Sequence, residues 1–249
     1  SRAYRTGSVV DYRGNWWRGP TQFQFGGDPN MPSERMDTLE VGYLGDWRDL
    51  RMSLDVRLFQ EKVFNRLLVI DQDIRSSLIP DSMAAIQDIR MRGLEFQFKW
   101  QVFDATRLLL NQSFIRADAS FTEEALANAW NTLSLWDPSK REAIEELAER
   151  GAPRHATSLL LIQKLPWSMD LTLAGYWQDT SKWSVNTWAE KYFRFDAKLA
   201  YPFNLGGRKG EVAYVGQSLN GGHPEYKAYG DLAARIVDRR QWITLRLDF

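Results

Sequence analysis

Three segments of the sequence alternate apolar and charged residues with a period of two. Residues 52–58, 94–102 and 193–199 each place every second side chain on an apolar face and charges on the opposite face. Such alternation predicts β-strands, because successive side chains of a strand point to opposite sides. The apolar face of 94–102 carries two phenylalanines and a tryptophan in a continuous row, as a lipid-facing surface requires.

Aromatic content narrows the choice among all-β folds. The 249 residues include 11 Trp, 9 Tyr and 13 Phe, and membrane proteins collect Trp and Tyr at the two bilayer interfaces. No run of about 18 apolar residues is present, so the sequence predicts no transmembrane helix. These features favour a transmembrane antiparallel β-barrel, with a soluble β-sandwich acting as a binding module as the alternative.

Charge, cysteine and histidine content exclude several kinds of site. The 32 Lys and Arg residues balance 32 Asp and Glu residues, so the basic excess expected of a nucleic-acid-binding protein is missing. The lack of cysteine excludes a disulfide scaffold and a thiolate metal site. The two histidines, His155 and His223, stand far apart in the predicted strand order, and no nucleophile elbow accompanies them. We therefore expect no catalytic residue, metal or cofactor, and no enzyme.

About ten strands are predicted, and the connections between them alternate in length. The further strands are expected near 1–5, 36–45, 106–118, 154–165, 169–182, 210–219 and 240–249. Short turns are expected at 45–49, 103–106, 166–168 and 204–208. Long connections are expected at 6–35, 66–88, 119–153, 183–190 and 220–239. This rhythm is typical of an outer-membrane barrel with tight periplasmic turns and long external loops.

One long external loop carries helix signals. Thr122 is followed by two glutamates, which predicts a helix start, and Asp137 with Pro138 predicts an N-cap and a first-turn proline. The second helix would cover residues 139–150 and stop at Gly151. We expect a short helical excursion that packs on the barrel rim rather than one that holds a ligand.

The last residues of the sequence predict a closing strand. Ile243, Leu245, Leu247 and Phe249 share one face of residues 240–249, and polar side chains share the other. We interpret these four residues as lipid-facing and as a signal for the barrel-assembly machinery. Closure of a barrel requires such a strand to pair with the first, which we expect to lie upstream of Ser1.

Six short motifs follow one another along the chain. They read SRAYRT at 1–6, LEVGY at 39–43, RGLE at 92–95, APRH at 152–155 ahead of LLL at 159–161, GEVA at 210–213 with QSLN at 217–220, and residues 239–249. In these motifs and their order, the chain resembles the C-terminal half of TonB-dependent outer-membrane receptors. It departs from the family pattern at Gly7, where proline is usual, and at Ser218, where asparagine is usual.

The resemblance implies a 22-stranded barrel in a Gram-negative outer membrane, with residues 1–249 as its C-terminal portion and last ten strands. The plug, the TonB box and the N-terminal strands would lie outside this chain. Its first five residues have no apolar stretch and so predict no signal peptide there, as expected of a processed chain or a fragment. The implied partners are outer-membrane lipid, the TonB complex acting through the plug, the barrel-assembly machinery and a small-molecule ligand. The implied function is TonB-dependent uptake of a scarce ligand such as a siderophore, haem or a cobalamin-like chelate. The alternative is a complete small barrel acting as a pore or an enzyme.

The external loops hold the candidate ligand-binding residues. In the first loop, Arg13, Trp16, Trp17 and Arg18 combine guanidinium groups, which bind anions in a fork, with rings that stack on flat ligands. The same interpretation extends to two tryptophans of a later loop, Trp183 and Trp188. Anchoring of these rings at the lipid headgroups is the alternative role.

Overall fold

The structure is a computed structural model that describes residues 1–18, 22–70, 82–127, 133–184, 187–228 and 235–248. The first half of the chain contains β1 (Arg2–Arg5), α1 (Val9–Arg13), β2 (Asn15–Arg18), β3 (Gln22–Gly26), β4 (Glu34–Trp47), β5 (Met52–Ile70), β6 (Ser82–Phe103) and β7 (Thr106–Phe121). After β7 follow α2 (Glu123–Ala127), α3 (Leu133–Trp136), α4 (Pro138–Glu149), β8 (His155–Lys164), β9 (Asp170–Gln178), β10 (Ser181–Ser184) and β11 (Thr187–Ala189). The chain ends with β12 (Tyr192–Leu205), β13 (Arg208–Gln217), β14 (His223–Ala228), β15 (Arg235–Val237) and β16 (Arg240–Leu247).

Ten of these strands form one sheet of antiparallel neighbours, in the order β1-β4-β5-β6-β7-β8-β9-β12-β13-β16. The prediction of an all-β fold with about ten strands is therefore confirmed. Each strand of this sheet pairs with the strand of the same sheet that follows it in the sequence. This meander is the arrangement expected when every connection is a turn or a loop. Across the described ranges, none of the helices has the length and apolar character needed to span a membrane.

Short turns connect alternate pairs of strands, as the sequence predicts. The turn between β12 and β13 contains Gly206 and Gly207, whose φ angles are 59° and 81°. Two consecutive positive φ angles define the tight hairpin turn whose twist matches that of the flanking strands, and glycine adopts them without steric cost. The turn between β8 and β9 is a 3-10 turn at Pro166–Ser168.

Two sequence predictions need correction. Strand β5 ends at Ile70 and strand β6 begins at Ser82, so the connection expected at 66–88 is much shorter than predicted. The connections expected at 6–35, 183–190 and 220–239 contain structure of their own. They hold α1, the β2–β3 hairpin and a four-stranded sheet in the order β10-β11-β14-β15.

The chain divides into two compact units. Unit 1 comprises residues 1–40, 59–92 and 116–151. It contains a small apolar core in which Ile86, Ala125 and Leu135 are buried, with three further side chains packed against them, Leu68, Ala84 and Phe121.

Helix α4 of unit 1 begins as predicted. Asp137 is the N-cap, its carboxylate accepts a hydrogen bond from the backbone nitrogen of Ser139 at 2.9 Å, and Pro138 occupies the first turn. The Ser139 side chain also donates to this carboxylate at 2.8 Å, and these hydrogen bonds lower the pKa of Asp137 below its ordinary value. The helix ends at Glu149, one residue before its C-cap Arg150, close to the stop predicted at Gly151.

Unit 2 comprises residues 41–58, 93–115 and 152–249. Its strand registers place apolar side chains opposite one another on one face of the sheet. The pairs on this apolar face include Leu110 with Leu159, Leu161 with Leu173, Leu199 with Tyr214, Tyr214 with Ile243, and Val212 with Leu245. Many of these side chains are exposed to solvent. The residues between them form the opposite, polar face.

Candidate functional site

The polar face of unit 2 carries hydrogen bonds that cross from strand to strand. The side-chain amide of Gln97 on β6 donates to Asn111 Oδ1 on β7 at 2.8 Å. Asn111 Nδ2 in turn donates to Ser158 Oγ on β8 at 3.0 Å. Because each donor is matched to an acceptor on the neighbouring strand, this face presents a fixed row of polar groups.

Charged side chains continue the polar face on later strands. Lys198 on β12 forms an ion pair with Glu211 on β13, with 2.7 Å between Nζ and Oε1. Arg194 Nε donates to Asp196 Oδ1 at 2.9 Å, and the same carboxylate accepts the backbone nitrogen of Ser218 at 2.9 Å. The arrangement places paired charges on one face of the sheet, so that neither sign dominates locally.

Hydrogen bonds that involve backbone groups order the segment that precedes β4 in unit 1. Ser8 and Asp11 form a capping box at the start of α1, in which each side chain accepts a hydrogen bond from the other's backbone nitrogen. The backbone nitrogen of Gly27 donates to the carbonyl of Gly14 at 2.8 Å, and Asp28 donates to Asp11 at 3.0 Å. These bonds tie the far end of the β2–β3 hairpin to α1.

Gly27 allows this close approach. A Cβ atom at this position would stand 2.6 Å from the backbone nitrogen of Arg13 and 2.7 Å from the carbonyl carbon of Tyr12. Real Cβ contacts of this length with backbone atoms do not occur, so only glycine fits. The hairpin is thereby fixed against α1, and the side chains that it carries have a defined position.

This segment brings three of the predicted ligand-binding residues into one structure. Arg13 is the exposed last residue of α1, and Trp16 and Trp17 are consecutive residues of β2 with 62% and 59% of their surface exposed. The Trp16 ring lies 6.3 Å from the Phe25 ring on β3. Arg18 is the last residue of β2 and its backbone pairs with Gln22. Two exposed tryptophans therefore follow α1 closely, three and four residues after Arg13 along the chain.

The other two predicted ligand-binding residues lie in unit 2, on the four-stranded sheet. Trp183 is on β10 and is 60% exposed, whereas Trp188 is on β11 and is half-buried. Trp188 lies opposite Lys182 in the β10–β11 register and opposite Lys227 in the β11–β14 register. These tryptophans therefore stand on an ordered small sheet and not on the irregular loop that the sequence suggested.

The predicted closing strand is β16, at the edge of the ten-stranded sheet. Ile243, Leu245 and Leu247 pair with Tyr214, Val212 and Gly210 of β13, and Ile243 and Leu245 are exposed. Phe249, the fourth member of the predicted assembly signal, lies outside the described residues. The other three stand at alternate positions of β16 and so lie on one face of the strand, while their role as an assembly signal stays a prediction.

Both histidines pack against aromatic rings. His155 stacks on Phe114 with 4.5 Å between ring centroids and lies 4.4 Å from the Trp177 ring. His223 stacks on Tyr192 at 4.2 Å. In the part of the chain that the structure describes, no group of three His, Cys, Asp or Glu side chains is arranged to hold a metal ion.

The sequence predictions missed a set of exposed cations on the unit 1 parts of β6 and β7. Arg90 and Arg92 are exposed on β6 and Arg116 is exposed on β7. They keep the even numbering of Phe96 and Phe114, so a strand of unbroken alternation would place them on the same face. This shared even numbering is the sequence signal that could have identified the three arginines.

Comparisons with known proteins agree with this architecture. The family model described as the TonB-dependent receptor-like β-barrel matches residues 1–221. The chain therefore belongs to the family of TonB-dependent receptor β-barrels. No curated protein matches the chain. The family and its structural neighbours are transport receptors rather than enzymes, and homologues of the family are outer-membrane proteins of Gram-negative bacteria.

Three solved structures illustrate the similarity. The ferripyoverdine receptor of the Pseudomonas aeruginosa outer membrane has 12% identity and a TM-score of 0.63, over 100% of this chain and 30% of that chain. The ferric yersiniabactin uptake receptor FyuA from Yersinia pestis has 14% identity and a TM-score of 0.62, over 88% and 30%. The ferric-catecholate import receptor Fiu from E. coli K12 has 15% identity and a TM-score of 0.60, over 88% and 28%. This chain thus spans less than a third of the length of these receptors.

Proposed function

We propose that this chain is the C-terminal portion of the barrel of a TonB-dependent receptor that imports a ferric chelate across the outer membrane. The observation that carries the proposal is the family match over residues 1–221 together with a fold shared with receptors that are named for ferric chelates. The plug and the N-terminal strands would belong to another part of the receptor. Energy for uptake would come from the TonB complex through that plug.

The two faces of the sheet support a position in the membrane. The apolar face exposes Ile243, Leu245 and Tyr214, and exposed apolar side chains on consecutive strands favour contact with lipid over contact with water. The polar face would line the passage. Its charges are paired, as in Lys198 with Glu211, so the passage would not retain a charged chelate on its way through. Ile243, Leu245, Leu247 and Phe249 would be read by the barrel-assembly machinery.

The proposed ligand contacts are the six predicted residues of the first loop and of the small sheet. Arg13 and Arg18 would pair with anionic oxygens of the chelate, and Trp16 and Trp17 would stack on its flat groups. The exposure of both rings and the backbone that fixes their strand support this role, because a rigid surface loses little conformational entropy when it binds. The later loop would contribute two further rings, Trp183 and Trp188.

Uptake by the natural polypeptide that carries this sequence tests the proposal. It would be expressed in a Gram-negative host that lacks its own ferric-chelate receptors, and the cells would be given ⁵⁵Fe-labelled catecholate, hydroxamate and phenolate siderophores, with haem and cyanocobalamin as further probes. We expect energy-dependent uptake of one ferric chelate that disappears when tonB is deleted. Uptake that persists without TonB would indicate a pore and would overturn the proposal.

Replacing the first-loop tryptophans tests the ligand contacts. The double change Trp16→Ala and Trp17→Ala removes two stacking surfaces, and we expect the apparent affinity for the transported chelate to fall at least tenfold, on the order of 1 kcal/mol per ring. Trp136→Ala is the matched control, because Trp136 is also in unit 1 and is 58% exposed. Equal effects of the two variants on uptake would remove the first loop from the proposed site.

A further inference from the structure

The side chain of Asn220 in unit 2 serves as a hydrogen-bonding partner for the backbone of β12. Its Oδ1 accepts a hydrogen bond from the backbone nitrogen of Phe195 at 2.8 Å. Its Nδ2 donates to the backbone carbonyl of Phe193 at 2.8 Å. We call these two hydrogen bonds the Asn220 clamp. One amide thus satisfies a donor and an acceptor of β12 beyond Gln217, the residue at which β13 ends.

Backbone groups beside the clamp hold the same segment. The nitrogen of Leu219 donates to the carbonyl of Phe195 at 2.8 Å. The nitrogen of Ser218 donates to the Asp196 carboxylate at 2.9 Å. The nitrogen of Gly221 donates to the carbonyl of Ser218 at 3.0 Å, and these two residues have φ angles of 117° and 53°. The chain therefore turns tightly here, and the turn returns the intervening side chain to β12.

The clamp and the turn require asparagine followed by glycine. An aspartate at position 220 would offer only acceptors, and a glutamine would carry its amide one carbon further from the backbone. A φ of 117° lies where residues with a side chain are strained, so Gly221 suits the turn. The sequence contains no other Asn–Gly pair. The geometry of this segment explains why the pair stands here.

An Asn–Gly pair is chemically labile. The backbone nitrogen after an asparagine can attack the side-chain Cγ, and glycine hinders this attack least because it has no side chain. The Gly221 nitrogen would bond to Asn220 Cγ while the Cγ–Nδ2 bond breaks, and the amide nitrogen would leave as ammonia with the proton of the attacking nitrogen. Water would then open the succinimide at either carbonyl, which gives aspartate or isoaspartate. The balance is hydrolysis of one amide, without an oxidant or a reductant.

The folded segment restrains every reacting atom. Both polar atoms of the Asn220 side chain are bonded to β12, and the Gly221 nitrogen is bonded to the Ser218 carbonyl. Attack therefore requires these hydrogen bonds to break first. Asn220 and Gly221 are exposed, so the segment can open to water without disrupting a buried core. The rate of the reaction then follows the population of the locally opened segment.

We propose that Asn220 is a deamidation site that the clamp protects in the folded chain, and that its conversion to aspartate or isoaspartate opens the clamp permanently. The product carboxylate has no hydrogen to donate to the Phe193 carbonyl. Isoaspartate also lengthens the main chain by one CH₂ group, which disrupts the turn at Gly221. The segment leads directly into β14 of the small sheet, so the connection of that sheet to β12 would weaken. The modification is independent of the transported ligand.

Ageing of the natural polypeptide at mildly alkaline pH is the first test. Peptide mass spectrometry would follow the conversion of each asparagine in detergent micelles and in urea. In urea, Asn220 should convert first. In micelles its conversion should be slower by roughly tenfold or more, because the two hydrogen bonds of the clamp must break before the reaction. Equal rates in the two conditions, or earlier conversion of another asparagine in urea, would overturn the proposal.

Loosening the segment is the second test. Asp196→Ala removes the acceptor of the Ser218 nitrogen and should speed conversion of Asn220 in the folded protein by about fivefold. Glu211→Ala is the matched control, because it removes a carboxylate that pairs with Lys198 and not with the segment, and the rate should stay within about twofold of wild type. Migration of unheated samples on gels reports whether each variant has folded. An unchanged rate in folded Asp196→Ala would contradict protection by the segment.

The consequence of conversion is tested with Asn220→Asp, which has the covalent structure of the aspartate product. Hydrogen exchange at the Leu219 and Gly221 amides should accelerate by about fivefold, since the hydrogen bond to the Phe193 carbonyl is lost. Asn204→Asp places the same new charge on an exposed residue at the other end of β12 and should leave these amides unchanged. Unaltered exchange in Asn220→Asp would show that conversion does not open the clamp, and that part of the proposal would be wrong.

Discussion

Two long connections of unit 1 achieve order in opposite ways. The connection that contains α2, α3 and α4 packs against side chains of β5 and β6 in a small apolar core, in which Leu135 is only 2% exposed. The connection that contains α1, β2 and β3 has its capping box and the backbone bonds of Gly27 and Asp28, and it leaves two tryptophans on the surface. We call them the core-packed loop and the backbone-held loop.

The difference separates a structural loop from a recognition loop. Burial of Leu135 and Ala125 stabilises the core-packed loop and withdraws these side chains from contact with a ligand, so that Trp136 is its one exposed tryptophan among the described residues. Backbone hydrogen bonds stabilise the backbone-held loop without burying its aromatic side chains. Exposed aromatic rings on an ordered strand are what a binding surface requires, so the backbone-held loop is the better candidate for ligand recognition.

The largest effect is expected from Leu135→Ala in the core-packed loop. The change removes packing against Ile86 and Ala125 and should lower the free energy of local opening of residues 133–149 by about 2–5 kcal/mol. Hydrogen exchange followed by mass spectrometry measures this. Trp136→Ala in the same loop should change protection by less than about 0.5 kcal/mol, because that side chain is exposed. Equal losses for both variants would contradict a core centred on Leu135.

The next effect is expected from Gly27→Ala in the backbone-held loop. The added Cβ would meet backbone atoms of Tyr12 and Arg13 at less than 3 Å, so α1 and the hairpin must separate at a cost of roughly 1–3 kcal/mol. Exchange of the Gly27 and Asp28 amides, which bond to α1, should accelerate accordingly. Gly42→Ala is the control, since the nearest atom to its added Cβ lies at 3.7 Å. Unchanged protection at Asp28 would show that the close approach does not hold the loop.

Much of the large sheet could be predicted from sequence because its strands obey one rule. Alternation located 94–102 and 193–199, and Gly206 with Gly207 marked a tight turn. The parts of β5 and β6 that fall within 66–88 were not predicted as strand, because the apolar and polar residues do not alternate there. Asn65, within β5, has a φ of 58° and its backbone nitrogen bonds to the Asp88 side chain. Such an irregularity shifts the facing of the residues beyond it, so no period of two is visible.

The small strands and the candidate site were harder to predict for a different reason. Strands of three to five residues such as β3, β11 and β15 are too short for a periodic signal, and nearby glycines such as Gly221 and Gly222 favour a loop prediction. The residue types of Arg13, Trp16 and Trp17 led to the prediction of a binding surface, and that role stays a prediction. Their support by Gly27 could not be predicted, because it depends on contact between segments that are separated along the sequence.

A smaller effect is expected from Ser8→Ala. This change removes half of the capping box at the start of α1, because the Ser8 hydroxyl accepts the backbone nitrogen of Asp11. Loss of an N-cap costs about 1 kcal/mol, which should appear as faster amide exchange confined to α1. Ser8→Asn, which restores an acceptor, should return most of the protection. If Ser8→Ala loosens the core-packed loop as well, the two loops are coupled and the comparison between them fails.

The smallest effect is the pH dependence of the core-packed loop through Asp137. Hydrogen bonds from Ser139 hold the pKa of this carboxyl below 3.8, its ordinary value. A lowered folded-state pKa means that the cap's contribution is complete above the unfolded value and is lost as the pH falls through the lowered one. Exchange of the α4 amides, corrected for intrinsic rates, should therefore accelerate in wild type on acidification below roughly pH 4. Asp137→Asn keeps a capping oxygen without a titrating proton, so its protection should stay level over the same range. A parallel decline in both proteins would place the acid sensitivity at another carboxyl group. Burial raises the pKa of Glu145, and a raised pKa predicts the opposite trend, a helix that gains stability on acidification. The sign of the change therefore distinguishes the cap from the half-buried glutamate.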